Sequence, residues 1–154
     1  MSDVFNLLDG ELDRVEERPG YRNTRTQVGA RLGAELLGAT IYETRPGEKL
    51  WPYHWELGCE EFLVVVAGTP TLRTPASERE LAPGDVAGFP QGEAGAHDIS
   101  NRTDEPVRVA IFSTLRQGTV VYPDSDKLGA GPPHDRRYFR RDDAVDYWHG
   151  ETRS

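Results

Sequence analysis

A single cysteine, Cys59, stands in 154 residues, so the chain cannot close a disulfide within itself. No apolar run approaches the roughly 20 residues of a membrane span. The N-terminal stretch also lacks the basic region and long apolar core of a secretion signal. These absences predict a cytoplasmic protein, and a free thiol fits that compartment. Positive charge is scarce too: 18 Lys and Arg stand against 26 Asp and Glu, a net charge of −8. Nucleic acid and anionic membrane surfaces both require a basic patch, so neither is expected as a partner. Helical periodicity is the last absence, since no segment of useful length repeats its apolar residues every three to four positions.

What the chain does contain is turn chemistry. Its 16 glycines and 11 prolines are scattered between short apolar runs. From residue 39 the pattern alternates with period two, and 39–44, 61–67, 71–74, 78–81, 86–89, 96–101 and 107–115 read as strands. Between them lie Arg45-Pro46-Gly47, Gly68-Thr69-Pro70, Ala82-Pro83-Gly84-Asp85, Pro90-Gln91-Gly92 and Thr103-Asp104-Glu105-Pro106. Short strands at regular spacing with such turns predict a single all-β domain, a sandwich or barrel, over residues 39–121. Residues 1–38 are weakly patterned and read as an N-terminal arm with one or two short strands. Residues 122–154 read as an irregular extension. Asp142 or Asp143 is positioned to cap one short helix carrying Val145, Tyr147 and Trp148, an aromatic tail expected to dock on its own domain or on a partner.

One group of residues carries chemistry. In an extended segment, side chains two apart share a face, so His54 and Glu56 project together. Glu61 opens the apolar run 61–66, where a carboxylate is costly to bury alone and a metal ion would offset that cost. His97 begins another strand. Two imidazoles and two carboxylates suit one divalent transition metal such as Mn, Fe, Ni or Zn.

The framework around these residues resembles the two motifs of the cupin superfamily. Gly47, His54-Trp55-Glu56, Glu61 and Gly68 are similar to the first; Gly84, Pro90, Gly92, His97 and Asn101 are similar to the second. The resemblance covers about half the chain and implies a double-stranded β-helix, or jelly roll, with a metal inside held by His54, Glu56, Glu61 and His97. Glu60 is the rival to Glu61. The spacing to Gly68 favours Glu61, because Glu60 is displaced by one position and faces the other way. Glu56 departs from the pattern by standing where the second histidine is usual, which hardens the site towards Mn, Fe(II) or Zn. The resemblance further implies a homodimer and a small-molecule ligand.

By that analogy the protein is a metal-dependent enzyme on a small polar or acidic substrate, dioxygenase or isomerase-like. Glu56 would act as ligand or base and Tyr53 as proton donor. A non-catalytic small-molecule or sugar-binding barrel, with structural metal or none, is the competing reading. Trp51, Tyr53 and Trp55 are candidates for pocket lining or core. Cys59 reads as an inert thiol, and His134 and His149 as solvated. Arg73, Gln91 and Asn101 are as well explained by turns as by substrate contact. Asp124-Ser125-Asp126 lacks the further acidic positions of a calcium loop.

Overall fold

A computed structural model describes residues 4–114 and 118–151, and the described residues are mostly β. The alternation at the start of Glu61–Ala67 (β5) explains why: Leu63 and Val65 are buried, Phe62 before them is exposed and Val64 between them is half-buried. One face of that strand therefore enters a core and the other does not. The remaining strands are Arg14–Arg18 (β1), Tyr21–Thr26 (β2), Leu37–Thr44 (β3), Trp55–Glu56 (β4), Thr71–Arg73 (β6), Glu78–Glu80 (β7), Val86–Phe89 (β8), Asp98–Ser100 (β9), Val107–Thr114 (β10), Val120–Tyr122 (β11), Lys127–Ala130 (β12) and Arg137–Arg140 (β13). All seven expected strands are present. The strand over 107–115 is seen to Thr114, and Leu115 lies outside the described residues.

Every strand pairing is antiparallel. The strands form a six-stranded sheet in the order β1-β2-β3-β10-β5-β8, a four-stranded sheet β13-β12-β11-β4 and a three-stranded sheet β7-β6-β9. The segment before β4 ties the sheets together, as Lys49 bridges Ser100 and His54 bridges His97. This is a jelly roll. Its core is Leu50, Leu63, Val65, Leu72, Leu81, Phe89, Ile99, Val107, Val109 and Ile111. Each such side chain removed from water contributes about 1.5–3 kcal/mol.

Gly68 closes the turn after β5 with φ of 76°, and a Cβ there would lie 2.6 Å from the Pro106 carbonyl oxygen. Glycine alone meets both requirements.

The N-terminal flank carries short strands of the kind expected, and the C-terminal flank departs from expectation. The arm over 1–38, described from Val4, supplies the β1–β2 hairpin, which adds two strands to the large sheet. The extension over 122–154, described to Glu151, is not irregular throughout, because β12 pairs with β11 and β13 with β12. The C-terminal helix expected after Asp142 is absent from the described residues. The chain there makes separate turns closed by i→i−3 bonds, Ala144 to Arg141, His149 to Asp146 and Glu151 to Trp148. The physical reason is nucleation: one turn of helix fixes several dihedrals for one bond, and Val145, Tyr147 and Trp148 are exposed and bury no face in return. Among the described residues, no helix is long and apolar enough to cross a membrane.

Candidate metal centre

The site is built by strand register. His54 and His97 face each other across an isolated antiparallel bridge, the His54 N–H donating to the His97 carbonyl (3.2 Å) and the His97 N–H to the His54 carbonyl (2.9 Å). Their rings lie side by side with centroids 4.9 Å apart. Glu61 is the first inward position of β5, on the same face as Leu63 and Val65, and pairs with Phe89 of β8. Phe89 stacks flat on the His97 ring at 3.6 Å, and Trp51 meets both imidazoles edge-on. Gly95 sets the approach to His97. A Cβ on it would fall 1.8 Å from the Pro90 carbonyl oxygen, so that close turn admits no side chain.

His54, Glu61 and His97 each offer a ligand atom, and these atoms lie within 4.8 Å of one another. Both histidines use Nδ1 on the backbone carbonyl two residues earlier, Pro52 and Gly95, each at 2.9 Å. With Nδ1 carrying the proton, each Nε2 lone pair is left to point elsewhere. This is the backbone-anchored tautomer that metal-ligating imidazoles adopt. His97 Nε2 stands 3.6 Å from the Glu61 carboxylate, beyond hydrogen-bonding distance.

The electrostatics of the three groups point the same way. Burial, reinforced by the neighbouring His54, lowers His97 to about 3, and burial lowers His54 as well. Burial and the charge of Glu56 push Glu61 up to about 7. A neutral imidazole beside a half-protonated carboxylate is no ion pair. Three donors too far apart to bond each other, each penalised by burial in its charged form, suit a divalent cation. The residues present therefore fit a metal.

His54 and Glu61 open into a cavity of about 720 Å³, and His97 is buried beside them. Glu56 and Tyr122 line it beside His54 and Glu61, while Asn23, Arg25, Tyr42 and Arg136 line it farther round. Glu56 faces this space but is not one of the three clustered ligands. Glu60 is exposed, so Glu61 is the carboxylate the structure brings to the histidines.

Tyr53 stands apart from this cavity. It does not line the cavity, because its ring is turned to the other side of the chain, where the Arg73 guanidinium sits 3.8 Å above it. Arg73 in turn pairs with Asp98 and Asp124. The tyrosine that does face the imidazoles is Tyr122, 5.7 Å from His54 between ring centroids, carried there by the pairing of β11 with β4. Burial raises its pKa, so its hydroxyl stays protonated.

Cys59 is buried, with its thiol on the Thr114 carbonyl and its pKa pushed up to about 12 by burial, which leaves it inert. Gln91 accepts from the Gly58 N–H, and Asn101 donates to the Glu105 carbonyl, so both serve turns. Tyr122 and the hairpin arginines are the residues that sequence reasoning missed. Pro19-Gly20 is the one local signal of that hairpin, whose strands are too polar to show a buried face.

A jelly roll with two histidines and a glutamate clustered beside its cavity defines a small barrel protein with a candidate metal centre. Residues 40–121 match the family described as "Cupin domain", which is more than half the chain, and the protein belongs to that family. No curated protein sequence matches the chain. Among solved structures, it is similar to a protein from Acidithiobacillus ferrooxidans assigned by inference as a sugar phosphate isomerase. The two share 26% identity over 83% of this chain and 82% of the other, with a TM-score of 0.76. A sugar phosphate isomerase of the cupin superfamily from Silicibacter pomeroyi shares 27% identity over 82% and 80%, with a TM-score of 0.74. A polyketide cyclase from Streptomyces resistomycificus shares the fold, at 21% identity over 75% and 81% and a TM-score of 0.62.

Proposed function

We propose that the protein is a metal-dependent enzyme acting on a small polar or acidic molecule, with isomerisation of a hydroxy-carbonyl compound as its chemistry. The observation that carries this reading is that two members of the His54–Glu61–His97 cluster, His54 and Glu61, line an open cavity, with His97 buried beside them. Three protein ligands leave coordination positions for substrate, as a catalytic centre requires and a structural one does not. The similarity to the two proteins described as sugar phosphate isomerases favours isomerisation within that class.

In this reading His54, Glu61 and His97 hold one divalent ion from among Mn, Fe, Ni and Zn, which when bound supplies Lewis acidity to a carbonyl and its neighbouring hydroxyl. Glu56, the carboxylate left over, takes the proton from one substrate carbon and returns it to the next. The protonated Tyr122 hydroxyl donates to a substrate oxygen. Trp51 and Phe89 keep water from the far side of the imidazoles.

The test is solvent deuterium exchange followed by proton NMR, using chelated protein reloaded with each metal against small aldoses, ketoses and their phosphates. Metal-dependent exchange at the carbon beside the carbonyl, lost in Glu56→Gln while the metal stays bound, is expected. The absence of exchange with every metal and every substrate in the panel would overturn the reading.

Two imidazoles with one carboxylate are also the ligand set of non-haem iron oxygenases, which favours a dioxygenase as the second reading. Oxygen uptake with Fe(II) alone would select it. A cytoplasmic homodimer completes the proposal. β13 is the edge of its sheet, and its Tyr138 and Phe139 are exposed, a surface that a second copy would cover. Sedimentation equilibrium giving twice the 17.2 kDa chain mass tests it.

A further inference from the structure

The outer wall of the cavity has a charge opposite to that of the protein. Six residues of the β1–β2 hairpin face inward: Arg14, Glu16, Arg18, Tyr21, Asn23 and Arg25. The antiparallel register sets Arg14 directly opposite Arg25. Like charges placed so cost stability unless something neutralises them, and Glu16 pairs only with Arg25. The Arg14 guanidinium donates to the neutral amide of Gln27 (3.3 Å), and Arg18 to the Glu17 carbonyl (2.7 Å). No carboxylate pairs with either among the described residues.

Arg136 joins them from the C-terminal extension, ahead of β13. Its Nε is buried without a hydrogen-bond partner, and its charge reaches both His54 and Tyr122. Gly129 leaves the space its arm occupies, since a Cβ there would lie 2.9 Å from the Arg136 Cδ. On this wall four arginines stand against Glu16, while the other two glutamates of the cavity, Glu56 and Glu61, lie beside His54, in a chain whose net charge is −8. Such a concentration of unmatched guanidinium is arranged for an anion.

We propose that this wall is an oxyanion subsite, in which Arg14, Arg18 and Arg136 hold a tetrahedral dianionic group of phosphate-monoester type on the substrate. A single carboxylate would leave most of the positive charge unmatched, whereas a dianion matches it. The subsite deepens the proposed function and rests on that reading only for the claim that the other end of the substrate reaches His54, Glu61 and His97. The arginines themselves are independent of the metal.

The test is calorimetric titration of the full chain with inorganic phosphate, and with acetate as the carboxylate probe, at low ionic strength. Phosphate is expected to bind one per chain and more tightly than acetate. Arg136→Gln and the double variant Arg14→Gln/Arg18→Gln should each weaken it by about tenfold or more, the loss of a charge-assisted hydrogen bond. Arg137→Gln, on the neighbouring exposed position, should leave it unchanged, and Arg136→Lys should restore it only in part because the planar fork is lost. Circular dichroism of each variant confirms the fold.

Phosphate binding retained in Glu61→Ala separates the subsite from the metal centre, so the subsite survives even if the metal reading fails. Phosphate that binds no more tightly than acetate, or that is unaffected by both arginine variants, would overturn the subsite. So would phosphate lost in Glu61→Ala alone, which would place it at the metal centre.

Discussion

The barrel wall and the hairpin that lies across its mouth solve different problems. In β5, β8 and β10 the inward residues are apolar and close-packed, with Leu63, Val107 and Val109 fully buried. That packing holds the histidines and Glu61 at ligand distances, where small displacements matter. In β1 every residue is exposed, and Val15 retains 60% of its surface. Its arginines act through charge, which reaches farther and tolerates looser placement. Geometry is entrusted to the buried strands, and charge to the exposed ones.

The largest expected break in this comparison is at the ligands. Glu61→Ala should abolish metal retention after gel filtration, whereas Glu60→Ala, one residue away and exposed, should retain it. Equal losses, measured by elemental mass spectrometry, would contradict the register argument. Next come packing changes. Leu63→Ala should cost about 2–5 kcal/mol in urea unfolding, while Val15→Ala on the hairpin should stay within about 0.5 kcal/mol. Gly95→Ala should destabilise the turn and lower metal affinity together, since its methyl meets the Pro90 carbonyl.

A subtler effect follows from pH. Glu61 sits at about 7 in the metal-free site, so metal binding below that must displace its proton. Affinity should fall about tenfold per pH unit below 7. His97, at about 3, competes only at far lower pH. For the metal-free fold the signs differ. Glu61 is raised from 4.5, so its contribution to stability is full below 4.5 and is lost as pH rises through 7. His97 is depressed from 6.5, so its contribution is present above 6.5 and is lost as pH falls through 3. The melting temperature of metal-free protein should therefore fall relative to that of Glu61→Gln between pH 4.5 and 7 and level off above 7, and added metal should raise it again.

The same contrast explains what could be read from the sequence. The barrel strands carry period-two apolar patterns bounded by Pro-Gly turns; Glu61 opens one of them, and His54 and His97 immediately precede β4 and β9. His54, Glu61 and His97 were legible for that reason. Tyr53 was not separable from its neighbours, because which side chain of 51–56 turns inward depends on a two-residue strand pairing with β11, far along the chain. The hairpin, Tyr122 and Arg136 were illegible for a related reason. β1 and β13 are exposed throughout, and β11, though it buries Val120 and Val121, is only three residues long, so no hydrophobic alternation marks these segments, and their meeting in one cavity is a product of topology. The supposed C-terminal helix had a cap and aromatic residues but no face to bury.

The most direct measurement is the metal content of tag-free protein prepared without chelator. About one equivalent of Mn, Fe, Ni or Zn per chain, removed by chelation and regained on adding the ion, is the predicted result. Protein that holds no metal and regains none from any of these ions would contradict the metal centre and leave a metal-free binding barrel in its place.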